Sequence, residues 1–227
     1  ISSANAPALD LPARFMALSV GALAVLALLA PWSLPLVQGP FSAFPLLALV
    51  HLITLGFVGA MIIGASYQLV PVAIGVQLSS VRAGTLLGIA FALYIGVIVT
   101  TWWRAPHQDV VSWHIGLAAI NAGSGMGFGV ALAFNKQNGM LGDQLLNTLG
   151  AHVTTMIVGW VALTFTGVAY RLIGMFTLSE AHFRPWLAWA ELAGLFGGSW
   201  LLSMRFHLGW PAWTGQVAAV MVLAGFA

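Results

Sequence analysis

The stretch His51-Leu-Ile-Thr-Leu-Gly-Phe-Val-Gly59, continued by Gly64-Ala-Ser-Tyr67-Gln-Leu-Val-Pro71, decides the fold. It is long and apolar enough to span a bilayer, with one imidazole, three glycines before its tyrosine and no formal charge. An imidazole among side chains that cannot compete for a metal asks for an explanation. The segment from His152 to Phe176 reads as a variant of it.

The rest of the composition agrees with a membrane setting. The 227 residues are 60% hydrophobic and only 5% charged, and the mean hydropathy is +0.98. Soluble domains carry about 25% charged residues, so most of this surface is expected to face lipid. The net charge of +2 is scattered without a basic run, which gives nucleic-acid binding no support. With no cysteine, disulfides, thiolate metal sites, Cys nucleophiles and c-type heme attachment are excluded. Metal ligation falls to His, Met, Asp or Glu. The chain starts at Ile1 and stops inside an apolar run, so the expectation is part of a longer protein. Residues 1–12 do not read as a signal peptide.

A helix crossing ~30 Å of hydrocarbon needs roughly 20 apolar residues. Seven segments meet or approach this: Ala13–Val37, Phe41–Val70, Ala83–Trp103, Val110–Phe134, Leu145–Phe176, Trp186–Met204 and Trp210–Ala227. The predicted fold is therefore all-α, a polytopic transmembrane bundle of about seven spans in one domain over residues 1–227. Pro31 and Pro35 are expected to end or kink the first helix, Pro71 to end the second, and Pro185 to open the sixth. The cations divide four to three between the two sides on this count, which leaves orientation open.

An internal repeat lies within the bundle. Residues 56–69 align without gaps to residues 159–172 on the pattern G-x7-G-x2-Y-x-L, at an offset of 103. Three helices in that offset predict that the two copies run in opposite directions. The expected organisation is a leading helix (13–37), one three-helix unit (41–134) and a second (145–227), the latter a candidate for truncation. The helix glycines, among them Gly56, Gly59 and Gly159, admit two readings: close helix packing, or room for a flat ligand.

Few polar residues lie within the segments: His51, Thr54, His114, Asn121, Ser124, Asn147, His152, Thr154, Thr155 and Glu191. Such groups are costly in lipid and usually face the bundle interior. Entering from opposite sides, His51 and His152 are expected to approach the middle of the bilayer, with His114 in the half of His51. Each histidine admits a structural reading, bonded to a backbone carbonyl or a Thr, and proton transfer is a further reading. A third is axial ligation of heme by imidazoles from two helices, with glycines giving the porphyrin a face to lie on. A bare copper or zinc site is disfavoured, since these metals want three or more clustered ligands.

The residues His51-Leu-Ile-Thr-Leu-Gly-Phe with Gly-Ala-Ser-Tyr67-Gln-Leu-Val-Pro-Val resemble a motif of heme-copper oxidase subunit I and NnrS-type membrane proteins. So do Gly150-Ala-His152-Val-Thr-Thr-Met-Ile-Val-Gly159-Trp160 and Gly-Val-Ala-Tyr170-Arg-Leu. In that family the second helix commonly begins His-x-His; here His152 holds the first position and Thr154 the second, while in the first copy Leu49 and His51 stand there. The resemblance covers roughly residues 11–185. It implies one or two b-type hemes, with His51 and His152 as axial ligands and His114 in reserve, and Gly159-Trp160 beside the cofactor. Arg171 and Arg104 become candidate propionate partners, although an Arg at a helix end also snorkels to the headgroups. The double-His pair and crosslinked copper ligands of a true oxidase are missing, which speaks against an oxygen-reducing binuclear centre. The implied activity is electron transfer, a possible oxidoreductase function, with quinone as a candidate cofactor. Expected partners are membrane lipid and a redox protein or other membrane subunits, and the expected location is the bacterial inner (cytoplasmic) membrane. Two other readings stay open: an inverted-repeat transporter, with the broken-helix candidate Asn121–Gly129, and a non-catalytic subunit of a respiratory complex.

Overall fold

The computed structural model describes residues 8–40, 43–77, 90–176 and 184–226. They form seven helices and no strand: α1 (Asp10–Val37), α2 (Phe44–Ile74), α3 (Ala90–Trp103), α4 (Val110–Asn138), α5 (145–176), α6 (Pro185–Leu208) and α7 (Ala212–Gly225). Arg82 and His182, and the predicted third segment before Ala90, lie outside the described residues.

Four of these helices are long and apolar enough to cross a membrane: Asp10–Val37, Phe44–Ile74, Val110–Lys136 and Gly142–Ile173. This is fewer than the expected seven. Two others, Phe91–Trp103 and Ala212–Gly225, are apolar but shorter, and 14 residues reach only about 21 Å at ~1.5 Å per residue. The remaining helix, Pro185–Leu208, carries Glu191 and Arg205 along its length and falls outside the four.

Pro71 does not end its helix, contrary to the sequence expectation. Pro31 and Pro35 lie inside α1, which runs on to Val37. Pro71 lies inside α2, and Gly75 ends that helix at φ +76, donating its N–H to the Pro71 carbonyl at 3.0 Å. Only glycine takes that left-handed position without strain. Membrane helices tolerate interior proline when neighbouring groups satisfy the freed carbonyls. Pro185 does open its helix, as predicted.

Both α2 and α5 contain a wide, π-helical segment, Leu52–Gly59 in one and Thr155–Ala162 in the other. The two segments start and finish at the same 103-residue offset as the sequence repeat. A π turn inserts a residue into the α ladder. Each inserted residue rotates the upstream part of the helix by about 100° relative to the downstream part. His51 and His152 both precede the wide turn, so it sets the face on which they stand.

The two copies run in the same direction, contrary to the expected opposed orientation. A Cβ on Gly59 would stand 3.6 Å from Trp160, and further down the Arg171 Nε donates to the Ala73 carbonyl at 3.0 Å. Residue numbers rise together along both helices. The physical reason is α3. It runs antiparallel to α4, with Ile95 near Gly123 and Trp102 against Gly116. Asp109, at the start of α4, meets Arg171 and through it the end of α2. Helices α2 and α3 therefore point the same way, and the alternation assumed from helix count fails.

Helix α1 lies antiparallel along α2: the Ser19 hydroxyl donates to the Phe57 carbonyl at 2.8 Å and Phe15 packs edge-on to Tyr67 at 5.4 Å. An interhelical polar contact of this kind contributes about 0.6 kcal/mol. The far side of α1 leaves Leu28, Trp32 and Leu34 exposed, a surface that suits lipid and not water. Helix α4 is central, packed on α3 and α5, while α6 joins α5 to α7. Mid-bundle, Tyr67, Tyr94, Phe91 and Trp160 form one aromatic cluster with ring centroids 5.0–6.0 Å apart. Their polar atoms are used: Trp160 Nε1 donates to the Tyr94 hydroxyl at 3.3 Å, and Ser66 bonds that hydroxyl at 3.4 Å.

Candidate functional site

The contact between Gly59 and Trp160 corresponds to an offset of 101 residues. Both His51 and His152 precede this contact on their helices, so the two imidazoles lie on the same side of the aromatic cluster, away from Arg171. His152 is half-buried in the seam between α4 and α5, and His51 is exposed on α2. The upper part of α2 packs on α1 and not closely on α5, so α2 and α5 diverge above the aromatic cluster. Lys136, at the end of α4, caps this region with its ammonium 4.7 Å from the Phe44 ring centroid.

Each imidazole is held by one nitrogen. His51 Nδ1 donates to the Leu47 carbonyl and His152 Nδ1 to the Gly125 carbonyl, both at 2.8 Å. A carbonyl only accepts, so Nδ1 carries the proton and Nε2 keeps its lone pair. This is the arrangement of a metal-ligating histidine, whose other nitrogen bonds to a carbonyl that fixes ring and tautomer. Gly129 makes the seam narrow enough: a Cβ there would stand 3.0 Å from His152 Cε1. Among the described residues no three of His, Cys, Asp or Glu cluster as a metal cage.

His114 does not join the pair. Helix α4 runs opposite to α2, so His114 falls at the other end of the bundle rather than in the half of His51. It is fully buried there, with Nδ1 on the Val110 carbonyl at 2.8 Å, Nε2 unpartnered, and its ring 5.7 Å from that of Tyr170. Tyr170 donates to Glu191 Oε2. This grouping was not read from the sequence, although His114 and Glu191 both stood among the polar residues within the predicted segments.

The arginines also lie at that far end. Arg171 is 19 residues beyond His152, about 28 Å at ~1.5 Å per residue. It is too distant to reach a propionate of a heme bound at His152. Instead its Nη2 meets Asp109 Oδ2 at 2.6 Å, while Asp109 Oδ1 accepts the Ser112 N–H at 2.9 Å as the N-cap of α4. One arginine thus ties the ends of α2, α4 and α5. Arg104 is exposed after α3 at the same end. Among the described residues the cations on the histidine side are Lys136 and Arg205.

The glycines next to the histidines are filled by protein. A Cβ on Gly56 would meet Ala22 and Leu52 at 3.1 Å, and one on Gly159 would run into the Asn121 side chain. Trp160 is 2% exposed, inside the aromatic cluster. Close helix packing, the first of the two readings, accounts for them. Gly127 is the open position, with nothing within 4 Å of its Cβ direction, and the Asn121–Gly129 segment stays helical within α4. His107 is exposed in the α3–α4 connection, and His207 packs on Phe128 at 5.7 Å.

No protein-family model, curated protein or solved structure matches the chain.

Proposed function

We propose that the chain is a heme b-binding membrane redox protein, akin to heme-copper oxidase subunit I, that passes electrons within the membrane. One observation carries the reading: two imidazoles on the same side of the aromatic cluster, on parallel helices, each tied through Nδ1 to a carbonyl with Nε2 left to ligate. His51 and His152 are the axial ligands of this proposal, and Lys136 is the cation at the rim on their side. Heme, when bound, supplies one-electron chemistry. The chain's own residues hold the two nitrogens in place, and the aromatic cluster excludes water from beneath them. The transporter reading loses the opposed repeats on which it rested.

A pyridine hemochrome assay on protein purified from heme-replete cells tests this. The expected result is b-type heme, with His51→Ala and His152→Ala each lowering its content or altering the reduced spectrum, and His114→Ala leaving both unchanged. Colourless protein without iron refutes the proposal.

A further inference from the structure

Helix α7 stops part-way along α6. A Cβ on Gly225, its last residue, would stand 3.2 Å from the Glu191 carbonyl, whereas α6 itself begins two turns closer to the Asp109 end, at Pro185 with Arg184 as its cap. Below the end of α7 an open groove of ≈ 1010 Å³ is left along α5 and α6. Ala169, Ala190, Ala193, Gly194 and Ala224 line it with little more than methyl groups. Gly194 lies ten residues from Arg184, about 15 Å at ~1.5 Å per residue. That is half of the ~30 Å hydrocarbon core, so the groove is one leaflet deep.

Four polar residues also line it: Thr166, Tyr170, Arg184 and Glu191. The Thr166 hydroxyl donates to the Ala162 carbonyl at 3.1 Å, and Tyr170 donates to Glu191. At the same end of the bundle Arg14 meets Asp10 at 3.9 Å and Arg171 meets Asp109 at 2.6 Å. The Arg184 side chain makes no ion pair among the described residues and stands exposed where the groove reaches the headgroup level. An occupant must therefore bring an anion to the mouth and apolar matter through one leaflet beneath it. A transmembrane helix does not fit, because it would run on into the half of the membrane that α7 already fills. A phospholipid meets both requirements, and a guanidinium forks onto its phosphate oxygens.

We propose that this groove is a binding site for an anionic phospholipid, its phosphate on Arg184 and an acyl chain along the alanine floor towards Met221. An anionic headgroup is preferred to a choline one, because the choline cation would lie beside the same guanidinium. The site needs no heme and stands apart from the electron-carrier reading.

The test strips the full chain of lipid in detergent and titrates palmitoyl-oleoyl phosphatidylglycerol or phosphatidylcholine, counting bound lipid by native mass spectrometry. One phosphatidylglycerol is expected to be retained about fivefold more tightly than phosphatidylcholine, the size of one cation acting on an anionic headgroup. Arg184→Gln, at an exposed position, is expected to equalise the two lipids without releasing them. Ala193→Phe and Ala190→Phe, both at exposed positions, are each expected to release both lipids, so a folding failure of one leaves the other to decide. Val20→Phe, on the exposed face of α1, is expected to release neither. Absence of saturable binding, equal affinity for the two lipids in the parent, or retention indifferent to both groove variants overturns the proposal. So does a copurified polypeptide that the groove variants release and phosphatidylglycerol does not displace.

Discussion

Replacing Gly159 by Ala puts a methyl group where α4 and α5 meet most closely. The new Cβ would lie 2.8 Å from the Asn121 Cβ and closer still to its amide carbon. Asn121 is fully buried, and its Nδ2 donates to the Leu117 carbonyl at 3.0 Å, so the side chain has no free space to enter. Overpacking of this kind costs about 1–3 kcal/mol, and forcing Asn121 off its carbonyl adds about 1 kcal/mol. The gain from replacing a helix glycine by alanine returns at most about 1 kcal/mol. The expected net loss is about 1–3 kcal/mol in equilibrium unfolding of purified protein in mixed micelles. Moving the notch to the other helix, as Asn121→Gly/Gly159→Ala, is expected to recover at least about 1 kcal/mol beyond additivity. A Gly159→Ala variant as stable as the parent, or strictly additive effects in the pair, would refute the packing assignment. A notch reserved for a cofactor would instead leave the cofactor-free protein indifferent to the methyl group.

Three further outcomes are expected. Asp109→Asn loosens the tie between α2, α4 and α5; because the pair is about two-fifths exposed, the loss in unfolding measurements is at most about 1 kcal/mol and shrinks in high salt. Gly75→Ala, at φ +76, costs about 1 kcal/mol in the same assay with no change in cofactor content. Among the described residues Arg14, Arg104, Arg171 and Arg184 gather at the Asp109 end against Lys136 and Arg205 at the other, so the positive-inside rule predicts a cytoplasmic Asp109 end. Since the chain has no cysteine, His107→Cys is expected to react with an impermeant maleimide only in inverted vesicles, and Asp143→Cys only in spheroplasts.

Much of the helical framework was legible in the sequence. Apolar runs of roughly membrane length located α1, α2, α4 and α5, and the G-x7-G-x2-Y-x-L match located two helices that share a wide turn at the same place. Direction was not legible. Counting helices assumes that each reverses the last, and α3 does not reverse α2. That one element sent His114 to the far end, whereas Arg171 is out of reach of His152 simply because 19 residues of one helix separate them. Pairing among distant polar groups was equally hidden: nothing local marks Arg171 as a partner of Asp109, or Tyr170 as one of Glu191, because interhelical geometry alone brings them together. Glycine roles could not be separated from composition, since a notch filled by Asn121 and one left empty look the same along the chain.

Two copies that point the same way have a mechanical consequence. Opposed copies can trade conformations and so present a central site first to one face of the membrane and then to the other. Here no such exchange exists, because swapping the copies returns each end to its own side. The protein is built as a one-way object, with its imidazole pair always nearer one compartment and its Arg171–Asp109 tie always nearer the other.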